Sequence, residues 1–137
     1  MNEPSGDYVL DSFALLAYLE DEVGAGRVTA LFGQAKKQNN IWMSVINLGE
    51  VLYITEREQD VLASRKALAA IEQLPVEIVA ADRVLTLAAA HIKANFPIAY
   101  ADAFAVALGQ MKRASVVTGD PEFKQVESLV TIEWLSR

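Results

Sequence analysis

Short apolar segments rich in β-branched residues alternate along this chain with longer segments of helical periodicity. Strands that alternate with helices and helical pairs are typical of a mainly parallel sheet covered on both faces. The pattern therefore predicts an α/β fold, a three-layer sandwich whose central sheet has four to five strands. At 137 residues the chain is expected to form one domain, residues 1–137, with a single core.

The predicted elements follow one another without a repeat or an interior linker. A polar tail extends to about Gly6. The predicted strands cover residues 8–10, 41–43, 76–80, 115–118 and 129–135. The predicted helices cover residues 12–20, 25–38, 45–58, 61–73 and 83–95, followed by a helix around Asp102 and a helical turn at 121–127.

Four acidic residues lie against apolar sequence, where a carboxylate is costly: Asp11, Glu50, Asp102 and Asp120. Asp102 has only Ile, Ala and Val at the helical positions three and four residues away. Buried carboxylates are normally paired or bind metal. These four residues are therefore our candidates for a functional site.

The predicted topology brings the four candidates together. Asp11 and Asp120 each follow a predicted strand, and the ends of parallel strands meet at one edge of the sheet, where open α/β sheets place their sites. Glu50 and Asp102 lie early in helices that begin at the same edge. Four carboxylates this close cannot all ionise unaided, so we expect a divalent cation among them.

Each candidate also has a plainer interpretation. Asp11 and Asp120 are placed to cap the elements that follow them, because a side-chain oxygen there satisfies free backbone N–H groups. Glu50, taken alone, is better explained as a helix flank residue that reaches solvent. Asp102 is the hardest of the four to explain without a site.

Composition limits the chemistry of such a site. The absence of cysteine excludes disulfides, thiol catalysis and thiolate ligands. The sole histidine, His91, lies on an alanine-rich helix with no second ligand nearby, so we assign it a packing or surface role. Oxygen ligands remain, and these favour Mg²⁺ or Mn²⁺.

The net charge of −6 argues against a nucleic-acid partner. The four candidate ligands carry four of those charges, which leaves −2 for the rest of the chain, so bound cations weaken the objection. We find neither an apolar run long enough for a membrane span nor a signal peptide, and we expect a soluble cytoplasmic protein.

Four stretches of the chain resemble the PIN domain family, in particular the VapC-type ribonuclease toxins of toxin–antitoxin pairs. They are VLDSFALLAYL, SVINLGEVLY, YADAFAVALG and VVTGDPEF, in that order. Each is a short acid-containing apolar string and is weak by itself. All four in register within one short chain make the resemblance fairly specific.

The resemblance implies a metal-dependent endoribonuclease acting on single-stranded or structured RNA. Its acidic quartet would be Asp11, Glu50, Asp102 and Asp120, and Ser12 and Thr118 match small hydroxyl positions that support the first and last acids. Such a quartet could hold two cations about 4 Å apart, which suits phosphodiester hydrolysis.

The resemblance further implies a homodimer and a small antitoxin partner. Glu122 stands where some members carry another acid, and we treat it as peripheral. The alternative is a PIN-like module that binds RNA or protein without cutting. The presence of all four acids favours the enzyme.

Overall fold

The computed structural model describes residues 6–35 and 39–135. Five strands are present: β1 (Tyr8–Leu10), β2 (Ile41–Ser44), β3 (Glu77–Val79), β4 (Ser115–Thr118) and β5 (Ile132–Trp134). Six α-helices are present among these residues: α1 (Ser12–Leu19), α2 (Ala25–Ala35), α3 (Val45–Glu58), α4 (Val61–Ile71), α5 (Arg83–Asn95) and α6 (Tyr100–Lys112). A short 3₁₀ helix, Pro121–Val126, follows β4.

The strands form one sheet in the order β3-β2-β1-β4-β5, and every neighbouring pair is parallel. In register, Val9 of β1 lies opposite Trp42 of β2 on one side and Val116 of β4 on the other. The predicted α/β class with a mainly parallel sheet of up to five strands is confirmed.

Alternate residues of the central strands enter cores on opposite faces of the sheet. Val9 and Val116 pack in the core that contains α5 and α6, whereas Leu10 and Val117 pack in the core that contains α1 and α2. All four side chains are fully buried. Burial on both faces explains why these strands read as continuous apolar runs and why helices cover both sides.

The strand order reverses direction between β1 and β4. From β1 the chain proceeds outward to β2 and β3, and it then returns to place β4 on the other side of β1. In open α/β sheets, ligands bind beyond the carboxyl ends of the strands at such a reversal. The fold therefore directs attention to the residues that follow β1 and β4.

Most predicted boundaries agree with the structure within two residues, and the differences lie at element ends. Helix α4 ends at Ile71 rather than at 73, because the chain turns there before Pro75. The last strand is shorter than the predicted 129–135. The polar tail before Gly6 and the predicted end of the second helix at Gln38 lie outside the described residues.

None of the helices in the described part of the chain has the length and apolar character that a membrane crossing requires.

Candidate metal centre

Asp11 lies between β1 and α1, at the strand-order reversal. Its carboxylate is 1% exposed, and Oδ1 accepts a hydrogen bond of 2.8 Å from the backbone N–H of Ala14. Asp11 thus caps α1, as the plainer interpretation predicted. Because each carboxylate oxygen has two lone pairs, the cap leaves the side chain able to accept further partners.

Thr118, the last residue of β4, connects the first and last acids of the candidate set. Its hydroxyl donates to Asp11 Oδ2 over 2.5 Å and accepts a bond of 3.0 Å from the backbone N–H of Asp120. The side chain is fully buried. The register of β1 beside β4 therefore places Asp11 and Asp120 at the same edge of the sheet.

Asp120 is half-buried and caps the 3₁₀ helix, since its Oδ1 accepts from the backbone N–H of Glu122 over 2.9 Å. Capping is therefore the local role of both strand-end acids. The turn also brings Glu122 back towards the sheet edge. Ligand oxygens of Asp102, Asp120 and Glu122 lie within 4.8 Å of one another.

Asp102 lies in the first turn of α6 and is 8% exposed. Every residue from Asp102 to Gly109 is buried, so the helix is held on most of its surface and its first turn has a defined position. Glu122, which the sequence analysis treated as peripheral, is exposed but belongs to the same group of oxygens. Nothing in the sequence around an exposed acid in a polar turn indicates that its oxygen lies close to those of Asp102 and Asp120.

Glu50 lies on α3, half-buried, and accepts a hydrogen bond of 2.5 Å from the hydroxyl of Ser12. Ser12 is the first residue of α1 and is itself buried. The two predicted supporting hydroxyls thus contact different acids: Thr118 contacts Asp11, and Ser12 contacts Glu50 rather than its neighbour Asp11.

The electrostatics of Asp11 indicate a carboxylate held against its preference for water. Its pKa is raised from 3.8 to about 8, chiefly by burial and to a smaller extent by the negative charges of Asp102 and Asp120. Hydrogen bonds from Thr118 and from the backbone of Ala14 act in the opposite direction, because they stabilise the ionised form.

Asp102 shows the same effect at the other side of the group. Its pKa is raised from 3.8 to about 7, chiefly by burial, with contributions from the charges of Asp120, Glu50 and Glu122. Asp11 and Asp102 are therefore the two acids whose pKa values are raised, each in part by the charges of neighbouring acids. A positive charge among them would relieve this repulsion and favour the ionised forms.

The donor set fits a hard divalent cation. The grouped side chains offer carboxylate oxygens only, the ligands that Mg²⁺ and Mn²⁺ prefer. His91 is exposed on α5 and is not part of this group. Among the described residues, Asp102, Asp120 and Glu122 thus form the candidate metal centre, and this group of oxygens does not include Asp11 or Glu50. Asp11 is connected to Asp120 through Thr118, and Glu50 acts on Asp102 by its charge.

Asn47, three residues before Glu50, is a component of the site that is not among the predicted residues. It is fully buried on α3, and its side chain contacts Ser44, Ser12 and the backbone carbonyl of Ala101. An amide one turn before the acid, in an otherwise apolar set of neighbours, was the signal available in the sequence.

Comparison with protein families identifies one family over most of the chain. A family model described as "PIN domain" matches residues 8–129, which include every candidate site residue. A comparison with curated protein sequences found no significant match.

Solved structures resemble this fold over nearly the whole chain. VapBC2 from Rickettsia felis, bound to a DNA fragment from its promoter, superposes with a TM-score of 0.74 at 18% identity, covering 95% of this chain and 99% of that one. VapC20 of Mycobacterium tuberculosis, a sarcin-ricin-loop-cleaving toxin, gives 0.68 at 18% identity, covering 85% and 92%. DNA-bound VapBC from Salmonella typhimurium gives 0.69 at 20% identity, covering 93% and 96%. At these identities the likeness establishes the fold.

Proposed function

The chain belongs to the PIN domain family, and from this membership and its acidic sheet edge we propose that it is a divalent-metal-dependent endoribonuclease. Its substrate would be single-stranded or structured RNA, cleaved by hydrolysis of a phosphodiester bond. The observation that carries the proposal is the convergence of carboxylates from distant parts of the chain on the strand-order reversal. Two of these carboxylates have pKa values raised by burial and mutual repulsion.

We assign the ligand roles by position. Asp11, Asp102 and Asp120 would hold the principal Mg²⁺ or Mn²⁺, and Glu50 would complete the site through water or a second ion. Glu122 lies close enough to Asp102 and Asp120 to contribute another oxygen. When bound, divalent cations activate water for attack on phosphorus and neutralise negative charge on the phosphate.

The side chains of the protein have two tasks in this scheme. Thr118 and the backbone of Ala14 hold Asp11 in one orientation and offset part of the rise in its pKa, so the side chain loses its proton more easily when a cation binds. The whole edge is negative without cations and would repel the phosphates of RNA. Metal dependence is therefore expected for RNA binding as well as for cleavage.

The structural neighbours extend the proposal to partners and cellular role. Several are VapBC toxin–antitoxin structures. By this similarity we propose that the chain is the toxin of such a pair, acts as a homodimer and is inhibited by a small antitoxin protein. A cytoplasmic location follows from an RNA substrate in the cell.

The proposal is tested with purified protein and a mixed pool of single-stranded and hairpin RNA. Wild-type protein, Asp102→Asn and the matched control Asp60→Asn are compared in Mg²⁺, in Mn²⁺ and in EDTA. Asp60 caps α4 at an exposed position beyond the opposite end of α3, and asparagine caps a helix equally well. We expect cleavage that requires metal, persists in Asp60→Asn and is lost in Asp102→Asn.

Two other results would contradict the proposed endoribonuclease activity. Equal cleavage by the wild type and Asp102→Asn would mean that the activity comes from another site or a contaminant. RNA binding without cleavage in either metal, with no metal binding detected by calorimetry, would favour the non-catalytic binding module.

A further inference from the structure

Asn47 occupies a position from which it can set the geometry of the acidic edge without reaching the substrate. It lies in the first turn of α3, three residues before Glu50, and its side chain has no exposed surface. A buried carboxamide that lacked hydrogen bonds would be costly. Here both of its polar atoms have partners: Nδ2 bonds to residues of α1 and α6, and Oδ1 bonds to Ser44, the N-cap of α3.

The first partner lies on α6. Asn47 Nδ2 donates a hydrogen bond of 3.1 Å to the backbone carbonyl of Ala101, the residue immediately before Asp102. This bond joins the first turns of α3 and α6, two helices that pack against each other. It therefore fixes the position of Asp102 along α6 relative to α3, the helix that carries Glu50.

The second partner lies on α1. Asn47 Nδ2 also donates to Ser12 Oγ over 3.3 Å, and Ser12 Oγ in turn lies 2.5 Å from Glu50 Oε1. The serine proton has two acceptors within reach, the backbone carbonyl of Asn47 at 3.2 Å and Glu50 Oε1 at 2.5 Å, and the nearer carboxylate is favoured. The amide of Asn47 occupies a lone pair of the same serine oxygen and so helps to hold the hydroxyl in place. Asn47 thus acts on Glu50 through Ser12.

The orientation of the amide is determined by its surroundings. The carbonyl oxygen of Ala101 can only accept, so the NH₂ group must face it. Asn47 Oδ1 then faces Ser44, whose hydroxyl donates to it over 2.9 Å and accepts from the backbone N–H of Asn47 over 3.1 Å. With every donor and acceptor in use, the side chain has one favourable arrangement.

We infer that Asn47 is a positioning residue for the metal centre, holding Glu50 and Asp102 at the separation that cation binding requires. This inference rests on the proposed function. Residues that orient metal ligands through hydrogen bonds commonly change metal affinity or activity by about 10–100-fold when they are replaced. Asn47 joins the elements that carry two of the acids and so has this role for both.

The experiment measures binding of Mn²⁺ alone, by the electron paramagnetic resonance signal of the free ion, alongside cleavage of RNA. Asn47→Leu keeps a similar volume without donors, and Asn47→Asp keeps the shape while losing the NH₂ group. Ser64→Ala is the matched control. Ser64 is buried on α4 and its hydroxyl bonds to the carbonyl of Leu52 on α3, so its loss removes an interhelical bond of the same helix away from the acids.

We expect both Asn47 variants to bind Mn²⁺ about 10–100-fold more weakly than the wild type. At Mn²⁺ concentrations that saturate each protein, kcat should fall in the same range while KM for RNA stays unchanged, because the metal that RNA binding needs is then in place. Ser64→Ala should retain wild-type Mn²⁺ affinity and kcat, even if its unfolding temperature falls as much as those of the Asn47 variants. A general loss of packing would not lower kcat while leaving KM unchanged, and it would affect the Asn47 and Ser64 variants alike.

The inference is overturned if folded Asn47 variants bind Mn²⁺ and cleave as the wild type does, or if Ser64→Ala loses Mn²⁺ affinity to the same extent. Wild-type protein that neither binds Mn²⁺ nor cleaves RNA would instead refute the proposed function, and this inference with it. The wild-type measurement therefore separates the two failures.

Discussion

The replacement of Asp102 by asparagine offers a test in which a loss of function is expected to stabilise the protein. Burial and the charges of Asp120, Glu50 and Glu122 raise the pKa of Asp102 from 3.8 to about 7. A carboxyl group of this kind opposes folding when it is ionised. Without metal, Asp102→Asn should therefore be more stable than the wild type at pH 8.

The expected magnitude and its sign follow from the pKa shift. Because the pKa is higher in the folded protein than in the unfolded chain, the contribution of Asp102 to stability is greatest below pH ~4 and is lost as the pH rises through about 7. At about 1.4 kcal/mol per pKa unit, the shift from 3.8 to about 7 corresponds to an upper limit of about 4 kcal/mol. Since Glu50 and Glu122 reach solvent and are screened, we expect about 2 kcal/mol.

The assay is urea unfolding in EDTA at several pH values from 4 to 8. The free energy of unfolding of Asp102→Asn should equal that of the wild type near pH 4 and exceed it by about 2 kcal/mol at pH 8. Adding Mn²⁺ should reverse the order, because only the wild type gains binding energy, about 2.7 kcal/mol at a concentration 100 times its Kd. Asp60→Asn, at an exposed helix cap, should show neither effect.

Two results would refute the reasoning. One is an Asp102→Asn protein that is less stable than the wild type at pH 8 in EDTA. The other is a difference between the two proteins that does not change with pH, since the repulsion requires an ionised Asp102.

Three further predictions concern neighbouring residues. Thr118→Val removes the hydroxyl that favours ionised Asp11, so the pKa of Asp11 should rise and the midpoint of kcat against pH should move upwards. Gly119→Ala should lower the free energy of unfolding in urea by about 1–3 kcal/mol, because its Cβ would overlap the ring of Phe13. Glu122→Gln should weaken Mn²⁺ binding, measured by titration, by about 10-fold or less, since an exposed ligand competes with water.

Each of these predictions has a matched control. Thr118→Ser keeps the hydroxyl and should keep the pH midpoint, so an equal displacement in both variants would contradict the first. Gly33→Ala, in open space on α2, should gain about 0.5–1 kcal/mol, and a loss equal to that of Gly119→Ala would contradict the second. Glu77→Gln, exposed on β3, should leave Mn²⁺ affinity unchanged. An equal loss of Mn²⁺ affinity in Glu77→Gln and Glu122→Gln would contradict the third.

The parts of the site that follow strands were predictable because their signals are local. An apolar β-branched run that ends in an acid identifies both a strand and its terminus, and a parallel sheet places such termini at one edge. Asp11 and Asp120 were therefore assigned to the same edge although they lie more than 100 residues apart in the chain, and the structure places them there, connected through Thr118.

The parts that depend on the packing of helices were not predictable from local sequence. Glu122 approaches Asp102 only because a 3₁₀ turn follows β4, and nothing in a polar, exposed position indicates this. The partners of the Asn47 NH₂ group lie on α1 and α6. They can be identified only when the relative positions of α1, α3 and α6 are known. Ser12 was expected to support Asp11 but contacts Glu50 for the same reason.

The cost of placing repelling carboxylates together explains where they lie in the fold. Asp11 and Asp120 extend from the two central strands, whose Val and Leu side chains are fully buried, and Asp102 begins the helix with the longest continuous buried segment described. These elements can bear several kcal/mol of local repulsion because apolar burial stabilises them independently, at about 1.5–3 kcal/mol for each large side chain. On a peripheral loop, the same repulsion would move the acids apart, because packing would not hold them close enough together for a cation. The geometry that makes the metal-free site unfavourable is thus the same geometry that would favour a compact positive charge in the proposed metal centre.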